Sequence, residues 1–313
     1  MRVTALAGGI GAGKFLRGLV RAVDPSDVTA IVNTADDVTM HGLHVAPDLD
    51  SVTYWLGDVF DRERGWGRRG ESFRATEELR RFDPASAWFN LGDLDLATHL
   101  FRTRRLAEGR TLSDVTAEIA AGFGISTRLL PMSDDPVTTR VTVLQDGHEV
   151  ELHFQEYWVR RRARDEVKHL RYEGAEAARP APGVLDAIAT ADALVVCPSN
   201  PVASIGPILA VAGIARALAE RRDRVVGISG IVGGAPLAGM ADKLMPAVGV
   251  EVTAAGAADC YRGLLGAWVI DQADRALATR IGSTGVRVGV TDTIMRDDAA
   301  AEALARFALD LLP

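Results

Sequence analysis

Apolar and polar positions follow two periods along this chain. Val3 to Ala7 is a short apolar run rich in strand formers. After the glycines of "LAGGIGAGKF", Phe15, Leu16, Leu19, Val20 and Val23 recur at helical spacing. Five later runs, "VTAIVN" (28–33), "ALVVC" (193–197), "RVVGIS" (224–229), "AWVID" (267–271) and "VRVGV" (286–290), are apolar enough to be strands buried on both faces. Helical stretches fall between and after them, including "ILAVAGIARALAERR" and the closing "DDAAAEALARFALDLL", whose Asp297 and Asp298 sit favourably at a helix start. This alternation predicts an α/β fold, a Rossmann-like doubly wound and mostly parallel sheet.

The middle of the chain reads differently. "RVTVLQDGHEVELHFQEYW" alternates with period two around Asp146-Gly147, the signature of an antiparallel hairpin. Residues 104–182 therefore read as an inserted smaller α+β subdomain, with "GAEAARPAPG" (174–183) as its return linker. The chain is read as a single domain over 1–313, with a Rossmann-like core in 1–103 and 183–313.

Composition narrows the function. With 313 residues, 48% hydrophobic and 25% charged, the chain can bury a large core, and its net charge of −7 argues against a general nucleic-acid surface. Two cysteines, Cys197 and Cys260, make neither a disulfide framework nor a metal-site spacing. With no charged leader and no apolar run long enough to span a bilayer, the expectation is a cytoplasmic protein without membrane contact.

The glycine loop resembles two phosphate-binding motifs and completes neither. Gly8, Gly13 and Lys14 fit a Walker A pattern, but Phe15 stands where a hydroxyl should meet Mg²⁺. Gly9 and Gly11 begin a dinucleotide fingerprint in which Lys14 occupies the third glycine position. A strand, four glycines (Gly8, Gly9, Gly11, Gly13) and a helix start nevertheless present backbone N–H groups and a positive dipole end to an anion. The structural alternative is a tight strand-to-helix turn.

Carboxylates follow. Asp36 and Asp37 lie just past a buried strand, while Asp48 and Asp50 follow Pro47 at the start of a helix read over Ser51 to Leu56. Two such pairs beside a phosphate loop suit Mg²⁺, which takes oxygen ligands and bridges to phosphates; capping and turn roles are the alternative. In "WFNLGDLDLATHLFRT", Asp95 and His99 share one helix face, a pair too small for a zinc site. In "CPSNPVASIGPI", three prolines stiffen a loop bearing Ser199, Asn200 and Ser204, groups suited to a nucleotide's sugar or phosphates. Trp55, Trp66 and Trp88 read as core or as stacking surfaces, and "RRRAR" (160–164) as a solvated face.

Taken together, "GGIGAGKFLRGL", "VNTADDVTMHGLHVAPDLDSVTYWL", "RGWGRRGESF", "LGDLDLATHLFRT", "LLPMSDDPVTTRV", "HFQEYWV", "PSNPVASIGPIL" and "MADKLMPAVGVEV" resemble, in order and over nearly the whole chain, the 2-phospho-L-lactate transferase family of coenzyme F-420 biosynthesis. The resemblance implies transfer of a phospho-lactyl or phospho-enolpyruvyl group from a guanosine-diphospho-acid to the deazaflavin Fo, with Mg²⁺ and release of GMP. It implies metal at Asp36 and Asp48, with Asp37 as a further candidate. It also implies Fo contacts at Asp50 and Asn90, a catalytic part for Asp50, and a homodimer. Ser199, Asn200 and Ser204 fall to the guanosine or diphosphate side. Which acid the donor carries stays open. Two rivals are a nucleotide-sugar-binding regulatory protein of a related glycine-loop family, and a P-loop NTPase, against which Phe15 counts.

Overall fold

Six of the apolar runs, joined by one that the pattern did not reveal, pair into a single parallel sheet. The computed structural model describes residues 1–86 and 88–313. The strands are β1 (Val3–Ala7), β2 (Val28–Val32), β3 (Arg128–Pro131), β4 (Ala193–Val196), β5 (Val225–Ile228), β6 (Ala267–Asp271) and β7 (Arg287–Thr291). They lie in the order 7-6-5-4-1-2-3, and every neighbouring pair is parallel. From β1 the chain winds outward to β3, then returns to the other side of β1 and winds away through β7. The direction reverses between β1 and β4, which register Val3 against Ala193. Crevices at such reversals, beyond the carboxyl ends of the strands, are where open α/β sheets hold ligands.

Both faces of the sheet are covered, which is why its strands are apolar at most positions. Leu6, Ile31, Leu130, Leu194 and Val196 face one core. Ala5, Ala7, Ala30, Val32 and Val195 face the other, together with α1 (Gly9–Ala22) and the closing helix Asp298–Asp310. Asp297 accepts the Ala300 N–H at 2.8 Å, the helix start expected for that acid.

The expected hairpin forms. Thr138–Gln145 pairs with His148–His153 around Asp146 (φ 49°) and Gly147 (φ 80°), and Val167–Glu173 adds a third antiparallel strand. Two details differ from the sequence reading. The edge strand β3 lies inside the stretch read as the insertion, yet it belongs to the main sheet, pairing Thr29 with Arg128. Its four residues end in Pro131 and follow a turn, so they show too little periodicity to be recognised. The single helix read over 208–222 is instead broken: Gly206–Ala210 and Ile214–Ala219 are separate turns of helix, with Gly213 at φ 89° between them. No helix among the described residues is long and apolar enough to cross a membrane.

Candidate active site

The glycine loop occupies the point where the sheet changes direction. β1 ends at Ala7, Gly8 precedes the first turn of α1 without a side-chain cap, and Gly9 adopts φ 70°. Close approach explains the other glycines. A β-carbon on Gly11 would stand 2.3 Å from the Pro198 carbonyl oxygen, and one on Gly8 would stand 2.6 Å from Ser204 Cβ and 2.7 Å from Asp48 Oδ2. The loops after β1 and β4 are thus in contact through backbone, and Ser199 Oγ donates to the Gly8 carbonyl at 2.9 Å. Ser204 is buried beside Gly8. Asn200 turns inward to its own loop, accepting from the Val202 and Ala203 N–H groups at 2.9 and 3.0 Å. Gly13 stands apart from the loop's rim and lets the Trp55 indole pack on α1, 2.4 Å from where a β-carbon would be. Lys14 is half-buried on α1, with no ion-pair partner among the described residues.

The first carboxylate group gathers beside this loop. Helix α2 (Pro47–Leu56) begins with Pro47 at its first position, so Asp48 and Asp50 lie within its first turn rather than before it. Asn33, fully buried at the end of β2, donates from Nδ2 to Asp48 Oδ2 at 2.9 Å, and its Oδ1 accepts the Ala35 N–H. Burial pushes the Asp48 carboxyl up to about 7, aided by Asp37 and opposed by hydrogen bonds from Asn33 and the Gly9 N–H. Asp36 is raised further from its ordinary range, first by burial and then by the negative charges of Asp48 and Asp37. Asp37 is raised by burial against the pull of His44, whose Nε2 lies 2.9 Å from Asp37 Oδ2 across the small hairpin Val38–Met40/Leu43–Val45. One oxygen of Asp36 and one of Asp37 are buried with no hydrogen-bond partner among the described residues.

That arrangement tests the fit of a divalent cation. Three carboxylates are buried together, and among the described residues the basic side chain in contact with them is His44 on Asp37, so protons or a metal would offset their charge. All donors are hard oxygens, as Mg²⁺ requires. Without a cation, Asp48 would also repel any phosphate at the start of α1.

A second group forms around Asp50; the sequence offered Asp50, Asp95 and His99 but not Arg102 or Tyr54. Arg102, on α4 (Asp93–Ala107; α3 is Arg74–Phe82), is 2% exposed and grips both oxygens of Asp50. Its Nη1 also lies 3.3 Å from His99 Nδ1. His99 Nε2 faces Asp95 Oδ1 at 3.3 Å, and the Tyr54 hydroxyl donates to that same oxygen at 2.5 Å. Burial works against the charge on Asp95, but His99, Tyr54 and Arg102 outweigh it and hold the carboxyl below its ordinary range. Among the described residues, ligand atoms of Asp50, Asp95 and His99 lie within 4.8 Å of one another. Arg102 already supplies the cation there, so this is an ion-paired network rather than an open metal cage. Its signal was spacing: Arg102 follows His99 by three and Asp95 by seven, all on one helix face.

The start of α4 is fixed by a reciprocal pair of caps. Glu71 accepts the Leu94 and Asp95 N–H groups, each at 2.8 Å, while Asp93 accepts the Ala75 N–H at 3.0 Å at the start of α3. Asn90 is exposed, its amide oxygen accepting from Arg80. Trp55 is core, stacked on Phe60 with centroids 4.6 Å apart. Trp66 and Trp88 keep accessible faces. In "RRRAR", Arg160 and Arg161 pair locally with Glu156 and Asp165.

Fold and site together define a class, a doubly wound α/β protein with a glycine loop and buried carboxylates at its switch point. Residues 3–302 match the family model described as 2-phospho-L-lactate transferase CofD, and the chain belongs to that family. It is similar to proteins named phosphoenolpyruvate transferase from Streptomyces griseus (50% identity) and Streptomyces coelicolor (49%), each match covering 99% of this chain and 98% of the relative. A crystal structure of a UPF0052-family protein from Bacillus halodurans shares the fold, with a TM-score of 0.62 at 18% identity over 98% of this chain and 99% of that one. Family membership makes this protein an enzyme that transfers phosphate-bearing groups.

Proposed function

We propose that this enzyme transfers a phospho-enolpyruvyl group from a guanosine-diphospho-enolpyruvate donor to the terminal ribityl hydroxyl of the deazaflavin Fo, releasing GMP, as a step of coenzyme F-420 biosynthesis. The observation that carries the choice of acid is 50% identity across 99% of the chain with a relative named phosphoenolpyruvate transferase. The hydroxyl oxygen forms a bond to the phosphorus nearer the acid, the bond from that phosphorus to the bridging oxygen breaks, GMP leaves with the bridging oxygen, and the hydroxyl proton is lost. The nucleotide-sugar-binding reading draws only on the fold, which the UPF0052 likeness shares at 18% identity.

In this reading the first turn of α1 offers its N–H groups to the donor's diphosphate, and Ser199 and Ser204 hold the facing loop against it. Asp36 and Asp48 would hold Mg²⁺, and the charge of Asp37 would add to its attraction. When bound, the ion neutralises charge that develops on the diphosphate oxygens. Asp50 accepts a hydrogen bond from the attacking hydroxyl and fixes its direction toward phosphorus, a positioning role of the kind that dominates phosphoryl transfer.

The direct test mixes purified protein, Mg²⁺ and Fo with donors carrying enolpyruvate, lactate or glycerate, and detects GMP and the phosphodiester by mass. Product from the enolpyruvate donor is expected. Product from another donor alone reassigns the acid, and Fo bound without turnover of any donor returns the chain to the binding-protein reading.

Metal binding has a pH signature. Asp48 holds its proton to about pH 7 in the folded chain and to about 4 when unfolded, so between those values the folded state binds more protons and metal-free stability falls as pH rises. Mg²⁺ replaces those protons. Its stabilisation, read as the rise in Tm, is expected to be several degrees at about pH 8 and small at about pH 5.5. A shift independent of pH would remove these carboxylates as its site.

A further inference from the structure

The Asp50 carboxylate is not loose in the cleft. Arg102 binds both of its oxygens, and both residues are buried, at 5% and 2% exposure. An arginine only donates hydrogen bonds, so any bond between Arg102 Nη1 and His99 Nδ1, which lie 3.3 Å apart, has the imidazole nitrogen as its acceptor. On the other side of the ring, His99 Nε2 lies 3.3 Å from Asp95 Oδ1. His99 Nδ1 also comes within 3.6 Å of Asp50 Oδ2, so the imidazole packs against both members of the Arg102–Asp50 pair. Behind them, Tyr54 donates to Asp95, and Glu71 anchors the backbone of Asp95. The chain of contacts ends on Asp50, where the Arg102 guanidinium meets both carboxylate oxygens.

We propose that Arg102 is a positioning residue for the acceptor half of the reaction: through its two-pronged grip, backed by His99 and Asp95, it fixes the plane in which Asp50 meets the attacking hydroxyl. A carboxylate has about four acceptor positions, of which the guanidinium takes two, so the remaining ones point in directions that Arg102 sets. The inference rests on the proposed meeting of Asp50 with the Fo hydroxyl. It assigns Arg102 no contact with substrate.

The test is a double-mutant cycle on the full-length enzyme with Asp50→Asn and Arg102→Lys, together with Arg102→Met, reading kcat and KM for Fo and for the donor separately. Lysine keeps the charge but loses the planar fork. Arg102→Lys is expected to lower kcat/KM for Fo on the order of 10- to 100-fold, to leave the donor KM unchanged, and to have no further effect once Asp50 is asparagine. Arg102→Met leaves Asp50 buried without its cation; if it fails to fold, the lysine variant alone carries the cycle. Equal loss on the donor side, independent multiplicative effects, or full activity per folded molecule with only a lowered Tm would overturn the proposal. A parent enzyme that turns over no Fo would overturn the functional reading itself. A fully active Asp50→Asn would remove Asp50 from the acceptor site, and Arg102's role with it.

Discussion

Asp48→Asn is expected to abolish transfer while making the metal-free protein more stable. Asp48 is buried against the first turn of α1, and its carboxyl holds a proton up to about pH 7 because burial and Asp37 disfavour the charge. At about pH 8 the metal-free parent carries that charge in an environment that opposes it. The amide carries none, which favours the folded variant by about 1 to 3 kcal/mol after the loss of one of the two hydrogen bonds that Asp48 accepts, from the Asn33 amide and from the Gly9 N–H. The same change removes an anionic oxygen from the set assigned to Mg²⁺, and turnover is expected to fall on the order of 10³-fold. Thermal denaturation in chelator separates this from a packing effect: the Tm advantage should be present at about pH 8, shrink as pH falls through about 7, and be gone below about pH 4, where Asp48 is protonated in both the folded and the unfolded parent. An advantage that persists in acid, or turnover within a few-fold of the parent, would refute the assignment.

Gly11→Ala is the second large effect, and here stability and activity fall together. The added methyl would stand 2.3 Å from the Pro198 carbonyl oxygen, and that obstacle is backbone of a proline-stiffened loop. The loops after β1 and β4 must separate, at a cost of about 1 to 3 kcal/mol, with activity reduced about 100-fold by misplacement of the diphosphate. Gly122→Ala, at the end of α5 (Leu112–Gly122), is the matched control. Nothing lies within 4 Å of its added methyl and its φ is not positive, so it should be neutral or slightly stabilising. Unfolding curves and steady-state rates on both variants decide the matter; equal behaviour would mean that the loop contact has no functional weight.

The sheet was legible because burial on both faces leaves a strand apolar at most positions rather than at alternate ones, and six runs carried that mark. β3 did not: four residues running into Pro131 offer no period, and its pairing with β2 is a tertiary fact. The broken helix over 208–222 shows the opposite error, an apolar pattern that continues across Gly213 although the backbone there turns left-handed. At the site, glycines and acids announced themselves through residue type and neighbourhood. What stayed hidden was pairing. Arg102 reads as one more charge on a helix until α4 is laid beside α2, and Asn33 reads as the polar end of a strand until Asp48 is found against it. Gly13, one of four similar glycines in the sequence, serves helix packing against Trp55, a distinction that only the third dimension draws.

The exchange of caps between α3 and α4 has a consequence for how this region comes apart. Glu71 stands before α3 and satisfies the start of α4, while Asp93 opens α4 and satisfies the start of α3. Neither helix can fray at its first turn without stripping the other of its acceptor, so the two beginnings melt and re-form as one cooperative unit. Because α4 carries Asp95, His99 and Arg102, the ion-paired network shares that unit's local stability, and loosening it at residue 71 would loosen it at residue 102 as well.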